Sequence, residues 1–195
     1  MRSLCIGGSF NPIHNAHLQC ALAAKNARGF DRIVLIPSAQ PPHKQPSADL
    51  APAKDRLAMC QAAVAGDDRF AVDDLELHRA GPSFTIDTAA ELKRRGWPTV
   101  SWLIGADMLL YLPKWHRAEE LIREVDFVIV ARPGWSLDWS LLPPAFQFLK
   151  SNVVEAPLMD ISATEIRRRV RAGESIADFT PPAVAEYIAR RGLYR

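Results

Sequence analysis

Cysteine is scarce in this chain of 195 residues: Cys5, Cys20 and Cys60 stand far apart, with no C-x-x-C pair among them. An odd, scattered set argues against a disulfide framework and fits a reducing compartment. Glycine is also thin, at ten residues, and neither G-x-G-x-x-G nor G-x-x-x-x-G-K-[ST] occurs. The dinucleotide fingerprint and the P-loop are therefore both excluded, and any phosphate must be held another way. No apolar run is long enough to span a bilayer, and the glycine pair at 7 and 8 comes too early to leave room for a secretory h-region. Charge of one sign is missing as well. Lys plus Arg total 24 against 22 Asp plus Glu, a formal net charge of +2, so no global field favours a nucleic-acid backbone. With 48% hydrophobic residues the expectation is a cytoplasmic protein with one substantial core, a single domain over residues 1–195.

What is present is alternation. Short apolar runs at 4–6, 33–36, 70–72, 100–104, 127–130 and 153–154 read as strands, and the patterns at 16–27, 54–64, 85–94 and 118–125 read as helices. This order predicts an α/β fold: a Rossmann-like open parallel sheet with helices on both faces and ligands beyond the carboxyl ends of its strands. Residues 37–52 form a Pro-rich connection of the kind that serves as a lid or binding loop. The last portion, 161–195, reads as a small C-terminal helical subdomain: a basic helix over about 162–171, then a helix with Thr180 as N-cap and Pro181 at its first position.

Two stretches carry chemistry. After the first strand, Gly7, Gly8, Ser9 and Phe10 lead into a helix expected near Ala16, whose free N–H groups and dipole face an incoming anion. His14 and His17, three apart, project to one face and can donate to triphosphate oxygens. A His near a helix start also packs or hydrogen-bonds locally, and Cys20 three residues on raises a metal site; zinc sites require three or four ligands, and no further Cys or His lies nearby. The expectation is no metal. In the second stretch, Ser162 and Glu165 have the spacing of a capping box, which accounts for both without a ligand. Its helix start still offers N–H groups, with Thr164 and Arg167 as further donors. Arg168, Arg169 and Arg171 read as a solvated basic face.

The first stretch resembles the HxxH signature of the nucleotidyltransferase superfamily, and residues 161–167 resemble its Ile-Ser-x-Thr-x-x-Arg signature. Segments 41–44, 81–88, 104–107 with Trp115, and 131–134 extend the resemblance over nearly the whole chain, most closely to the bacterial nicotinate-nucleotide adenylyltransferases. The resemblance implies transfer of AMP from ATP to nicotinate mononucleotide, with release of pyrophosphate, in NAD biosynthesis. It implies catalytic roles for His14, His17, Lys44 and Arg167, and ATP contacts from Gly7, Gly8, Ser9, Phe10, Gly105, Asp107, Ser162 and Thr164 as well as His14, His17 and Arg167. Ser83, Phe84, Thr85 and Trp115 are the implied mononucleotide site, and Mg²⁺ is expected to travel with ATP without dedicated protein ligands. Two positions depart from the family's common pattern: Asn11 stands where Asp is frequent, and Ala16 where Gly is. The partners expected are these two nucleotides, without nucleic acid or membrane; a homo-oligomer stays open. The alternatives are a transferase for nicotinamide mononucleotide or another phosphorylated acceptor, and a non-catalytic nucleotide-binding sensor.

Overall fold

A computed structural model describes residues 1–42, 49–157 and 159–195. Six parallel strands, β1 (Ser3–Gly8), β2 (Arg32–Pro37), β3 (Phe70–Val72), β4 (Ser101–Gly105), β5 (Asp126–Ala131) and β6 (Val153–Glu155), form one sheet in the order β3-β2-β1-β4-β5-β6. The helices are α1 (Asn15–Arg28), α2 (Ala53–Ala63), α3 (Thr85–Arg94), α4 (Ala118–Glu124), α5 (Ala163–Arg171) and α6 (Pro182–Arg191). The strand order reverses between β1 and β4, and the crevice above such a switch point is where open α/β sheets take ligands.

Alternation along each strand divides the core into two layers. Cys5, Val34, Ile36, Trp102, Ile104, Phe127 and Ile129 point to one face, where Ile86, Ala89 and Leu92 of α3 and Leu121 and Ile122 of α4 cover them. Leu4, Ile6, Ile33, Leu35, Leu103 and Val128 point to the other, against Ala21 and Ala24 of α1 and Met59 of α2. Ile166 of α5 and Val184 and Ile188 of α6 join this second layer, so the C-terminal helices share the core of the sheet. Burial pushes the Cys5 thiol up to about 12 and the Cys60 thiol up as well, leaving both as inert core side chains.

Two local expectations shift. α6 starts one residue later than its sequence suggests: Pro181 is the N-cap, Pro182 opens the helix, and the Thr180 hydroxyl turns back to Ile176 O at 3.4 Å. In α5, Ser162 caps as expected by accepting from the Glu165 N–H at 3.2 Å, but the Glu165 carboxylate leaves the box for Arg168 and Arg169. Arg168 also bonds Glu174, Arg169 lies over the Phe179 ring at 4.4 Å, and Arg171 meets Asp49. The basic helix face stays solvated at Arg168 and Arg171, as expected, while Arg168, Arg169 and Arg171 are each paired with a neighbouring carboxylate. Among the described residues no helix is long and apolar enough to cross a membrane.

Candidate active site

Above the β1–β4 junction lies a cleft of about 600 Å³. Gly7, Gly8, Ser9, His14, Ala16 and His17 form one wall, Gly105 and Asp107 a second, and Ser83, Thr85 and Trp115 a third. These are residues from three separate sequence motifs, brought together by the strand order. A smaller cavity continues past Gly105 and Asp107 to Arg132 and Trp135.

The glycine loop is shaped from within. A Cβ on Gly7 would stand 2.3 Å from Cζ2 of Trp102, so the strand end can lie flat on that indole only as glycine. One at Gly8 would meet the Phe10 ring at 3.3 Å. Phe10 itself holds φ 43°, a left-handed conformation that costs a non-glycine residue roughly 1–3 kcal/mol. Its ring is buried, with its edge against His17 at 5.3 Å between centroids.

α1 begins with its dipole open to the cleft, since no acidic residue occupies its first turn, and Gly29 closes its far end in the left-handed conformation. The His14 N–H donates to Nδ1 of His17 at 3.2 Å. That acceptor role places the neutral ring's proton on Nε2, making His17 a donor. The two imidazoles stack at 3.6 Å with planes 23° apart. Burial lowers the His14 pKa to about 4, so at neutral pH His14 is an uncharged donor and not part of a cationic field. Its buried Nδ1 has no hydrogen-bond partner among the described residues.

Asn11 explains one departure from the family pattern. Its Nδ2 donates to Asp49 O at 2.7 Å, while its Oδ1 accepts from the Ala51 N–H at 3.0 Å and from Tyr194 Oη at 2.8 Å. An amide supplies both the donor and the acceptor that this buried position uses; a carboxylate supplies only the acceptor. The other departure, Ala16, puts its methyl in the cleft wall.

α3 starts at Thr85 with Phe84 as N-cap; the Phe84 and Asp87 N–H groups bond Pro82 O and Phe84 O at 3.0 and 3.1 Å, so the N–H groups of Thr85 and Ile86 are the ones this helix start offers. The Ser83 hydroxyl accepts from the Ala39 N–H at 3.0 Å, and beneath it the buried Glu76 carboxylate accepts from Thr88 Oγ1 at 2.6 Å. Burial raises the Glu76 pKa against the opposing hydrogen bonds of Thr88 and Ser83. Trp115 lies edge-on to Phe127 at 6.4 Å and contributes to the third wall. Phe84 stacks instead on His116, centroids 4.2 Å apart, and does not line the cleft.

Around the second signature, Ile161 reaches the cleft, whereas Ser162, Thr164 and Arg167 stand just behind the lining. The reason is local: the Ser162 hydroxyl is engaged as a cap, and Arg167 donates through Nη1 to Asn11 O at 2.9 Å and through Nη2 to Thr164 Oγ1 at 3.4 Å. Phe10 is likewise behind the wall. Lys44 lies outside the described residues. Sequence reasoning missed Trp102, Glu76, Arg56 and Tyr194; Arg56 stands in the sequence as one of three successive charges, Lys54, Asp55 and Arg56, and nothing in the pattern marks it as buried. Among the described residues no group of three or more His, Cys, Asp or Glu is placed to hold a metal ion.

A doubly wound sheet with helix starts aimed at a switch-point cleft defines a nucleotide-binding α/β protein. The chain belongs to the cytidylyltransferase-like family, whose pattern matches residues 5–169, and within it to the nicotinate-nucleotide adenylyltransferases, a group of nucleotidyltransferase enzymes. One relative, from Herpetosiphon aurantiacus, is 42% identical over 193 residues, covering 97% of this chain and 96% of its own, and is called "Probable nicotinate-nucleotide adenylyltransferase". Another of the same name, from Yersinia pestis, is 42% identical over 209 residues, covering 97% and 93%. Among solved structures, the Plasmodium falciparum nicotinic acid mononucleotide adenylyltransferase complexed with NaAD superimposes with a TM-score of 0.74 at 22% identity, covering 100% of this chain and 98% of that one. That likeness shows the fold.

Proposed function

We propose that the chain joins ATP to nicotinate mononucleotide, giving nicotinate adenine dinucleotide and pyrophosphate. A 5′-phosphate oxygen of the mononucleotide forms a bond to the α-phosphorus of ATP while the bond from that phosphorus to the bridging oxygen breaks. The electron pair leaves with pyrophosphate. The acceptor is already ionised, so no protein nucleophile is required, and catalysis reduces to positioning and to charge stabilisation. His17, with its proton on Nε2 at the start of α1, is the observation that carries the reading. It donates to the α-phosphate as charge develops there, with neutral His14 beside it. Arg167, the start of α5 and Lys44 serve the distal phosphates, and Gly105 and Asp107 receive the adenosine. Mg²⁺ enters as part of the MgATP substrate.

The acceptor's pyridine lies between Trp115 and the start of α3. First-turn N–H groups and the Thr85 hydroxyl suit a carboxylate, which only accepts; the amide of nicotinamide would set its NH₂ against them. Pyrophosphate release from MgATP with each acceptor in turn tests the assignment. The expected result is a preference for nicotinate over nicotinamide mononucleotide of roughly two orders of magnitude in kcat/KM. Equal use of the two would reject carboxylate recognition at α3, and ATP binding without release for any acceptor would favour a non-catalytic sensor.

A further inference from the structure

α2 carries a charge that the chemistry above does not use. Arg56 is 1% exposed, and burial pulls its pKa downward. Its guanidinium is spent on backbone: Nε donates to Ala51 O at 3.0 Å, Nη1 to Ser9 O at 2.7 Å and Nη2 to Ala39 O at 3.1 Å. Those three carbonyls belong to the glycine loop and to the two ends of the 37–52 connection. Among the described residues no carboxylate pairs with Arg56. The adjacent Asp55 faces elsewhere, accepting from Tyr187 Oη at 2.8 Å and Arg191 Nε at 3.2 Å.

Ser9 lines the cleft and Arg56 does not. In a planar trans peptide the C=O and the following N–H point to opposite sides, so drawing the Ser9 carbonyl onto Arg56 turns the Phe10 N–H away from it. The same peptide enters Phe10 at its φ of 43°, a conformation that persists only when its surroundings over-determine it. Ala39, held through its carbonyl, donates its N–H to Ser83 on the acceptor side of the cleft. One guanidinium thus fixes a peptide on the phosphate side and an anchor on the acceptor side.

We infer that Arg56 is a positioning residue of adenylyl transfer: it sets the Ser9–Phe10 peptide and both ends of the 37–52 connection in the arrangement that receives MgATP. The inference rests on the function proposed above. Lysine keeps the charge, but its single ammonium has no fork with which to span three carbonyls on three segments. The test compares R56K with the unmutated chain in pyrophosphate release, thermal unfolding, and hydrogen exchange of peptides covering 7–10 and 37–42. A folded R56K is expected to lose about a hundredfold in kcat, with each KM changed far less and faster exchange in both peptides. A folded R56K whose kcat and exchange match the unmutated chain overturns the inference. Absence of release from the unmutated chain with every acceptor overturns the function instead, and the exchange comparison then decides the positioning role. Should R56K not fold, phenyllactic acid in place of Phe10 makes the Ser9–Phe10 amide an ester, weakening the Ser9 carbonyl and deleting the N–H. The same loss of kcat supports the inference, and an unchanged kcat rejects it.

Discussion

His14 and His17 lie ring against ring, 3.6 Å apart, and the backbone N–H of the first donates to Nδ1 of the second. One histidine is thereby oriented by the other's main chain, and the pair begins α1 with its donors already aimed. Preorganised donors of this kind act most where charge develops.

Replacing His17 by alanine therefore costs turnover more than binding. The expected loss in kcat is roughly 10²- to 10³-fold, with ATP affinity changed little. Steady-state kinetics beside an ATP titration of the folded variant check this, and a near-normal kcat rejects the role.

His14 makes acid stability depend on its burial. Its folded pKa of about 4 lies below the unfolded value, so between about pH 6.5 and 4 the unfolded chain binds the proton and the folded chain does not. Its contribution is fully present above pH 6.5 and is lost as pH falls toward 4, by up to about 3 kcal/mol. Urea unfolding across that range should show a shallower loss for His14→Phe than for the unmutated chain. Parallel curves reject the assignment.

Asn11→Asp restores the residue frequent in the family and is expected to destabilise this chain. The carboxylate faces Asp49 O without a proton to give, so the amide's bond is replaced by two opposed acceptors at a cost of about 1–3 kcal/mol. Tyr194→Phe removes one bond to the same group and costs about 1 kcal/mol. Thermal unfolding of both variants ranks them, and an Asp variant as stable as the parent contradicts the amide's double role.

Arg167→Ala raises the KM for ATP while leaving that for the mononucleotide little changed, on the scale of about 1.5–3 kcal/mol for a charge-assisted contact. Because Arg167 also donates to Asn11 O, a modest drop in melting temperature accompanies it. Equal weakening of both substrates would assign Arg167 to the scaffold alone.

The sheet was legible because its strands are buried on both faces: 33–36 and 127–130 are unbroken apolar runs, and such runs between helical patterns leave few architectures open. The histidine pair and the helix starts were legible because their meaning is local, three residues apart. Arg56, Glu76 and Tyr194 were not, since their partners are carbonyl and hydroxyl oxygens at separations that follow no helical or strand period, from 5 positions for Arg56 and Ala51 to 183 for Tyr194 and Asn11. The same holds for Arg167: its spacing from Ser162 was readable, but its engagement with Asn11 O arises only once the two ends of the chain meet.

The indole beneath Gly7 ties two distant codons into one. With Trp102 at 2.3 Å from where a methyl would sit, alanine at position 7 is barred while the tryptophan remains, and a smaller apolar residue at 102 lifts the bar. The height of the glycine loop over the sheet is thus written on β4, across the switch point, and an engineer wishing to enlarge the cleft there must edit both strands in the same step.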